Sequence, residues 1–383
     1  MSPDSRQQFR VLMILDNPCD PDWRVLKEAH SLAAAGFSVR ILAWDRSGLL
    51  PKIELIDGVR IVRVATPSRH RRSMGRLATA FSYWARVMAE ALAEDFDAIH
   101  SHDLPDLPIS VFLSLRRRRP LVYDAHELYW MDRLEARPIL IRLVERYGER
   151  LLIRRAKHVV TVSDDLATYY RRLHPRVSVV GNWYDPIQVD RISGRHLRHE
   201  LGIADDTFCL VYAGSLGPER NHQLLIEYAA AYPDTAVVVA GKGGVAETDF
   251  IKAAGTLPNL RFLGWQTDLG PVYGLADALY YVLREESPYR SISSPNNFFV
   301  SIAAGIPLIT TASGEPGRLI AESGAGELLH SSTVSELHRA VDRLRNPQAK
   351  ALINASLSTL RVRYTWGKAA EPLVKLYRGL ARR

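Results

Sequence analysis

Short apolar runs alternate with longer amphipathic segments along almost the whole chain. Residues 9–15 (FRVLMIL) form the first run, and residues 23–37, after a turn-forming DNPCDPD, predict a helix closed by Gly36. Another apolar run, SVRILAW, follows directly. A strand, a helix and a strand in so few residues make a βαβ unit. Because the pattern recurs, we predict an α/β protein with parallel sheets.

The alternation pauses once, in a polar segment that contains Arg191, Arg195 and Arg198, and it restarts with FCLVYAG near residue 207. At 383 residues the chain is also longer than one hydrophobic core usually supports. We therefore predict two doubly wound, Rossmann-like domains that face a cleft. The first covers residues 1–185 and the second residues 186–365. Residues 366–383 are expected to form a helix that packs back on the first domain.

Composition excludes several classes of protein. A hydrophobic fraction of 47% and a charged fraction of 24% are typical of a soluble globular chain, and no stretch is apolar enough to span a bilayer. The polar start lacks the apolar middle of a secretory signal, so we expect a cytoplasmic location. Cys19 and Cys209 are the two cysteines, too few for a disulfide framework or a cysteine-ligated metal site.

The net charge of +8 is concentrated in arginine clusters. The clusters are Arg69, Arg71, Arg72 and Arg76, before an apolar and aromatic run; residues 116–119; and Arg142, Arg146, Arg150, Arg154 and Arg155. Solvated helix faces explain the three clusters, and so does contact with an anionic membrane surface, at the inner face of the cell membrane, or with a phosphate-bearing acceptor. For the membrane contact, the candidate is the segment from Arg69 to Arg86. No nucleic-acid motif accompanies the charge, so we expect no nucleic-acid partner.

Polar clusters follow two neighbouring strands of the first domain. HSHD (residues 100–103) and DAHE (residues 124–127) bring imidazoles and carboxylates to strand ends at His102 and His126, and a third predicted strand ends at Ser163. Ligands of open parallel sheets gather beyond the carboxyl ends of strands. These clusters therefore predict a site at this rim. Their spacing is unlike that of a zinc site, and we expect no metal.

A glycine turn opens the second domain in GSLGPERN, residues 214–221. Gly214 and Gly217 permit close approach of the backbone to a ligand, Arg220 can pair with a phosphate oxygen, and the helix that follows adds its positive end. This combination favours a diphosphate site. The alternative is a turn that contains glycine for geometry alone.

A second candidate for the same diphosphate is SSPNNFFVSIAAG, where Pro295 opens an apolar helix that ends at Gly305. Ser293 or Ser294 is expected to cap this helix, and the amides of Asn296 and Asn297 would hold the phosphates. A capped core helix without a ligand remains the alternative.

Taken in order, these segments resemble a known family. The motifs are DxRVLKEAxSLAAAG, HSHD, YDAHELYW, VVTVSDDLA, VGNWYD, YAGSLGPERN, GKG, LGW and PNNFFVSIAAGIPLI. Their order across nearly the whole chain resembles the family-four retaining glycosyltransferases of the GT-B fold. The resemblance implies a nucleotide-sugar donor on the second domain, an acceptor sugar, glycolipid or natural product on the first, and catalysis without a metal or other cofactor.

The resemblance also implies roles for single residues. His126 matches the histidine that reaches the transferring sugar, with Asp124 and Glu127 beside it, and His102 with Asp103 would shape the acceptor side. Asn182 matches a turn asparagine with a structural role, and Arg220 matches the basic residue, usually lysine, that binds the donor diphosphate. The remaining donor-binding positions are Gly214, Ser215, Gly217, Ser294, Asn296, Asn297 and Glu286.

The chain departs from the family pattern at the donor site. Ser215 replaces an arginine that binds the diphosphate, and Val300 replaces a glutamate that accepts hydrogen bonds from the ribose. The partner glutamate falls on Ile292, while Glu285 and Glu286 lie nearby and are candidates to substitute for it. Loss of such a charge-assisted hydrogen bond costs about 1.5–3 kcal/mol.

We therefore expect a retaining glycosyltransferase that moves a hexose from a nucleotide-diphosphate sugar to an acceptor hydroxyl. Two alternatives stay open. Val300 and Ser215 also suit a catalytically silent GT-B subunit of a partner transferase, and the same fold supports epimerisation of a nucleotide sugar.

Overall fold

The structure is a computed structural model that describes residues 8–66, 73–131, 138–292 and 294–382, and for residues 73–78 it describes the backbone alone. The chain divides into two compact units. One comprises Met1–Gly181 together with Ala370–Arg383, and the other comprises Asn182–Ala369. Arg69, Arg71 and Arg72 lie outside the described residues, as does the side chain of Arg76, so the predicted membrane role of this cluster stays a prediction.

The first unit is built on a sheet of eight strands. They are β1 (Arg10–Leu15), β2 (Ser38–Asp45), β3 (Ile53–Ile56), β4 (Val59–Ala65), β5 (Ala98–His102), β6 (Leu121–Ala125), β7 (His158–Thr161) and β8 (Val177–Val179). They lie in the order β3-β4-β2-β1-β5-β6-β7-β8. Among these described strands each neighbouring pair is parallel except β3 and β4.

Six helices lie in the described part of this unit. They are α1 (Trp23–Ala34), α2 (Ser73–Ala93), α3 (Asp103–Arg117), α4 (Ile139–Leu152), α5 (Asp164–Arg171) and the end of α14 (Trp366–Ala381). From Ala370 onward α14 belongs to the first unit. Tyr377 of this helix is fully buried, and its hydroxyl lies 2.9 Å from Nδ1 of His100 in β5.

The second unit carries a six-stranded sheet. Its strands are β9 (Phe208–Ser215), β10 (Thr235–Lys242), β11 (Leu260–Gly264), β12 (Ala278–Tyr281), β13 (Leu308–Thr311) and β14 (Gly326–Leu329). The order is β11-β10-β9-β12-β13-β14, and the paired strands are parallel. The helices are α6 (Arg191–Glu200), α7 (His222–Ala231), α8 (Gly244–Ala254), α9 (Gly270–Gly274), α10 (Asn296–Ala304), α11 (Gly314–Ser323), α12 (Val334–Arg345), α13 (Pro347–Arg363) and the start of α14.

The predicted α/β class is confirmed, and its physical basis is visible in the strands. In β1 the five residues from Val11 to Leu15 are all buried, and in β10 the first seven are. A parallel strand covered by helices on both faces reads as an unbroken apolar run, which is the pattern that the sequence shows. Burial of each large apolar side chain stabilises the fold by about 1.5–3 kcal/mol.

Strand β3 was not predicted from the sequence, and it pairs antiparallel with β4 at the edge of the sheet. The two strands are joined by Asp57 and Gly58, whose φ angles are 46° and 82°. An Asp-Gly pair with both φ angles positive is typical of a type I′ hairpin turn. The Asp-Gly pair therefore indicates this hairpin in the sequence, but a hairpin is not part of the βαβ pattern on which the prediction was based.

Helix α4 is attached to the sheet through a buried carboxylate. Oε1 of Glu149 accepts hydrogen bonds from the hydroxyls of Tyr123 in β6, at 2.8 Å, and Tyr170 in α5, at 2.7 Å. Burial raises the pKa of Glu149 to about 7, although both hydroxyls favour its ionised form. The polar face of α4 therefore points inward.

Replacing Glu149 by Gln should make stability less dependent on pH. The pKa of Glu149 is about 7 in the folded chain against 4.5 for an ordinary glutamate, so the folded state pays to ionise it as the pH rises. The loss of stability begins near pH 4.5 and is complete above pH 7. It amounts to roughly 3 kcal/mol. Gln keeps the oxygen that the two tyrosines share and does not titrate. Urea unfolding across this pH range should show the wild type losing stability relative to Glu149→Gln; parallel curves would contradict the assignment.

Candidate active site

Asp124 is a fully buried carboxylate at the end of β6. Arg24 of α1 binds both of its oxygens, with Nε 3.2 Å from Oδ2 and Nη2 2.9 Å from Oδ1. The same guanidinium donates to the carbonyl of Val180 at 2.7 Å. Burial alone would raise the pKa of Asp124, but attraction to Arg24 and His126 outweighs it, and the pKa lies well below the ordinary value. Asp124 is therefore an anion at neutral pH.

His126 lies between two carboxylates. Its Nε2 is 2.8 Å from Oδ2 of Asp124, and its Nδ1 is 3.0 Å from Oδ2 of Asp103. Burial would lower the pKa of the imidazole, but Asp103 and Asp124 raise it well above the ordinary value. At neutral pH the ring is therefore an imidazolium that donates both of its protons to carboxylates. The structure brings together three residues that the sequence placed at this rim.

Asp103, the first residue of α3, has a positive φ of 56°. Its Oδ1 also accepts a 2.9 Å hydrogen bond from the backbone N–H of His126, so both carboxylate oxygens contact the same residue. A left-handed backbone at a residue other than glycine costs of order 1–3 kcal/mol and often marks a functional geometry. Here the strained backbone directs the Asp103 carboxylate at His126.

His102 ends β5 and differs from His126 in charge. It is fully buried, and its Nδ1 lies 3.3 Å from Oδ2 of Asp124 and 3.3 Å from Nε2 of His126. Burial and the neighbouring His100 lower the pKa of His102 to about 4. His102 is therefore neutral, and we assign it the tautomer that donates its Nδ1 proton to Asp124.

A further set of buried polar contacts connects Arg24 to Glu28, His100 and Tyr377. Oε1 of Glu28 lies 2.9 Å from Nη2 of Arg24, and Oε2 lies 3.5 Å from Nε2 of His100. The other ring nitrogen of His100 lies 2.9 Å from the hydroxyl of Tyr377. Burial raises the pKa of Glu28 to about 7 against the opposing attraction of Arg24. Helices α1 and α14 are thus tied to the strand ends by one polar network.

Four side chains of this network offer atoms that metals bind. Glu28, His100, His102 and Asp124 each place one such atom within 4.8 Å of the others. The Arg24 guanidinium, however, contacts both carboxylates of this group at 2.9 Å. A cation already neutralises these carboxylates, and it would repel a metal ion. The donor set therefore fits an arginine better than a metal.

Glu127 and Asn182 are two further residues to which the sequence assigned a role. Glu127 is exposed, and its backbone carbonyl accepts a 3.5 Å hydrogen bond from the hydroxyl of Tyr170. Asn182 is partly buried and is the first residue of the second unit.

In the second unit, two glycines allow β9 and β10 to approach at their carboxyl ends. A Cβ atom on Gly241 would lie 2.2 Å from the carbonyl oxygen of Gly214, which itself has a φ of 146°. The Asn297 side-chain amide of α10 donates to the carbonyl of Ala213 at 2.8 Å. The two segments predicted to bind the donor, around Gly214 and around Asn297, therefore adjoin.

Arg220 lies just before α7 and is held by aromatic residues. Its Nη1 donates to the hydroxyl of Tyr281, and its guanidinium carbon lies 4.4 Å from the centre of that ring. Nη2 is 3.6 Å from Oε1 of Glu219. Nε is buried without a hydrogen-bond partner among the described residues. The guanidinium is positioned but keeps donor capacity.

A pocket of about 880 Å³ opens beside Arg220. Its lining includes Gly217 and Arg220 from the glycine turn, together with Glu285 and Glu286. Oε1 of Glu285 accepts a 3.0 Å hydrogen bond from the backbone N–H of Ser332. This volume is within the usual range for small-molecule sites, roughly 300–1,000 Å³. Both glutamates considered as replacements for the family carboxylate thus line the same pocket as Arg220.

The start of α10 differs from the prediction. Its N-cap is Pro295, which makes no side-chain capping bond, so the expected cap by Ser294 is wrong, and Ser293 lies outside the described residues. The Ser294 hydroxyl is buried and has no hydrogen-bond partner in the described ranges. A proline N-cap leaves the first amides of the helix without that side-chain acceptor.

The other donor-side residues fall into two groups. Ser215 at the end of β9 and Asn296 at the start of α10 are exposed. Val300 of α10 is buried, and Ile292 is partly buried. At the positions where the family has its two glutamates, the chain therefore presents apolar side chains.

Several site residues were missed from the sequence. Arg24 and Glu28 are four residues apart and therefore share a face of α1, a spacing that can be read from the sequence. Tyr281 and Tyr377 gave no signal, because their contacts with Arg220 and His100 join distant parts of the chain.

Two family models match consecutive parts of the chain. Residues 21–183 match a glycosyl transferase 4-like domain, and residues 195–356 match the glycosyl transferases group 1. The D-inositol 3-phosphate glycosyltransferase of Mycobacterium leprae is 25% identical over 92% of this chain and 87% of its own length. The enzyme of the same name from Stackebrandtia nassauensis is 23% identical over 92% and 85%.

Solved structures show the fold. Sucrose-phosphate synthase from Thermosynechococcus elongatus superposes with a TM-score of 0.76 at 18% identity and covers 97% of this chain and 99% of its own. Anabaena Alr3699/HepE, in complex with UDP and glucose, gives 0.74 at 18% identity over 97% and 100%. The two family models together match most of the sequence. This chain therefore belongs to the glycosyltransferases that join a 4-like domain to a group 1 domain, and it resembles family four and has the GT-B fold.

Proposed function

We propose that this glycosyltransferase is a retaining enzyme that moves a hexose from a nucleoside diphosphate sugar to an acceptor hydroxyl. The observation that carries the proposal is Arg220, a cation beside a glycine turn and a helix start, with a buried donor atom that lacks a partner and a pocket of about 880 Å³ next to it. A diphosphate matches this arrangement, because it needs a cation and backbone amides together.

The names of similar proteins support a nucleotide sugar. The Anabaena protein is described in complex with UDP and glucose and, in a separate structure, with UDP-glucose. The mycobacterial relatives are named for an inositol phosphate acceptor. We assign the donor to the second unit and the acceptor, whether sugar, glycolipid or natural product, to the strand ends around His102 and Asp103.

In the proposed reaction, Arg220 and nearby amides stabilise the negative charge of the leaving diphosphate. The bond between the anomeric carbon and the diphosphate oxygen breaks, and Arg220 with nearby amides stabilises the charge that develops on the phosphate. The acceptor oxygen bonds to the same face of the sugar, and the departing phosphate oxygen takes its proton. His126, already protonated, does not act as the base. Its role is to present positive charge and fixed hydrogen bonds at the rim.

The proposed reaction needs no metal or other cofactor. In the first unit, the carboxylates that would bind a metal are already paired with Arg24. In the second unit, Arg220 supplies the positive charge that a metal ion would otherwise bring to a diphosphate.

Replacing Arg220 by Ala should weaken binding of a nucleoside diphosphate by about 10- to 100-fold, because a charge-assisted hydrogen bond contributes roughly 1.5–3 kcal/mol. Binding of the corresponding nucleoside should change little. Arg220→Lys, which keeps the charge, serves as the matched control and should retain most of the affinity. Calorimetric titration with both ligands measures the difference, and equal losses for nucleoside and diphosphate would place the phosphates elsewhere.

Replacing His126 by Ala should lower turnover by about 10²-fold or more, because the positive charge that we propose for it at the rim acts mainly in the transition state. Thermal stability should fall as well, because Asp124 and Asp103 lose the cation between them. Affinity for the nucleoside diphosphate should stay unchanged, because that ligand is assigned to the second unit. A stable and fully active His126→Ala protein would show that the reaction does not take place at this rim.

Incubation with nucleoside diphosphate sugars, without an acceptor, separates the proposal from its alternatives. Nucleotide binding with slow hydrolysis, in which the released sugar first appears in the anomeric configuration of the donor, supports retaining transfer. Absence of binding across uridine, guanosine and adenosine diphosphates supports a silent subunit. Conversion of the donor to an epimer supports the third function and excludes transfer.

A further inference from the structure

Helix α4 turns its apolar stripe toward solvent. Leu140, Val144, Tyr147 and Leu151 follow a spacing of four, three and four residues, which places them on one face of the helix. Their exposed fractions are 69%, 64%, 59% and 65%. Periodicity of this kind normally marks the face of a helix that packs on a core. Here the stripe is on the outside.

The inward face of the helix fixes this orientation. Glu149 is buried between the hydroxyls of Tyr123 and Tyr170. The guanidinium of Arg146 lies 4.7 Å from the ring centre of Trp130, and Nε of Arg142 donates to the Trp130 carbonyl at 3.4 Å. Rolling α4 to bury its stripe would break these contacts and expose a carboxylate that is now bonded. The contacts of the inward face therefore keep the apolar stripe of α4 exposed to solvent.

The exposed apolar surface extends beyond the stripe. Seven of the 20 large apolar side chains that are exposed in the described ranges lie on α4. They are Ile139, Leu140, Ile141, Leu143, Val144, Tyr147 and Leu151. Helix α3 packs against α4 and adds exposed Phe112 and Leu115. Single exposed leucines are ordinary, but a contiguous patch of this kind marks an interaction site.

The exposed charges of the same two helices are basic at their carboxyl ends. Arg116, Arg118 and Arg119 are exposed at the end of α3, and Arg154 and Arg155 are exposed just after α4. The two glutamates of α4 do not offset them at the surface, because Glu145 is partly buried and Glu149 is buried. Nη2 of Arg119 lies 3.4 Å from Oδ1 of Asp97. The positive charge of the patch therefore comes from the other exposed arginines, Arg116, Arg118, Arg154 and Arg155.

We propose that this patch, formed by the outward faces of α3 and α4 and here called the α3–α4 surface, docks on an anionic lipid bilayer. Helix α4 lies in the plane of the interface, with Leu140, Val144 and Leu151 at the boundary of the acyl chains and the arginines among the phosphates. Interfacial helices combine these features, an apolar face with cations that attract anionic lipids. The proposal does not depend on the catalytic roles proposed above.

Charge selects a bilayer over a second copy of the chain. Two α3–α4 surfaces facing each other would bring arginine clusters of like charge together, which opposes association. An anionic lipid surface instead complements both the stripe and the arginines. None of the helices in the described ranges is both long and apolar enough to cross a membrane. The proposed contact is accordingly peripheral.

Flotation with vesicles tests the proposal. The wild-type protein should bind phosphatidylcholine vesicles that contain phosphatidylglycerol, bind pure phosphatidylcholine weakly, and be released as salt rises, because exposed charges are screened. The variant Leu140→Ser, Val144→Ser, Leu151→Ser should lose binding by about tenfold or more, since insertion depends on buried apolar area. These side chains face solvent, so the melting temperature should not fall. Arg154→Glu with Arg155→Glu should also weaken binding, but only to the anionic vesicles.

A matched control comes from the second unit. Ile192, Leu352 and Val362 are also at least 70% exposed, and changing all three to Ser should leave vesicle binding intact. Equal binding by the α4 variant and the wild type would overturn the proposal. So would a wild-type protein that ignores anionic vesicles but forms dimers that the α4 substitutions abolish, because that result assigns the α3–α4 surface to a second copy of the chain.

Discussion

The buried ion pair between Arg24 and Asp124 is the contact on which the first unit's site depends. It joins α1 to the end of β6, and through the Val180 carbonyl it also reaches the segment after β8. Removing one partner of such a pair typically costs about 3–5 kcal/mol, because the other charge is left buried alone. The pair also keeps Asp124 ionised, and that charge, with Asp103, holds His126 as an imidazolium.

The fold and the grouping of His126 with Asp103 and Asp124 followed from local sequence, whereas the buried residues that support them did not. Buried parallel strands are apolar runs, so β1 and β10 were recognisable, and polar residues just after such runs predicted the rim around His126. Arg24 and Asp124 are 100 residues apart, and His100 and Tyr377 are 277 apart. Such contacts form only after the sheet brings distant segments together. The stripe of α4 was likewise readable, but periodicity does not say which way a face points.

In the second unit, the same residues serve the packing of the strands and the proposed binding of the donor. The close approach of Gly241 to Gly214 requires glycine for packing alone, so the glycines by themselves do not identify a ligand. Arg220 adds the missing information, because its position against Tyr281 leaves a buried donor without a partner. Val300 stands where the family has a glutamate that binds the ribose, so the chain lacks a carboxylate at that position. Glu285 and Glu286 bring carboxylates to the Arg220 pocket from another loop.

The charge state of His126 reports whether Asp124 and Asp103 are both ionised next to its ring, and therefore whether Arg24 holds Asp124 as an anion. Nitrogen NMR of the imidazole in histidine-labelled protein, assigned by comparison with His126→Gln, measures protonation of each ring nitrogen. Both nitrogens should carry protons at about pH 8, where an ordinary histidine with a pKa near 6.5 is neutral. A single protonated nitrogen on His126 at that pH would contradict it.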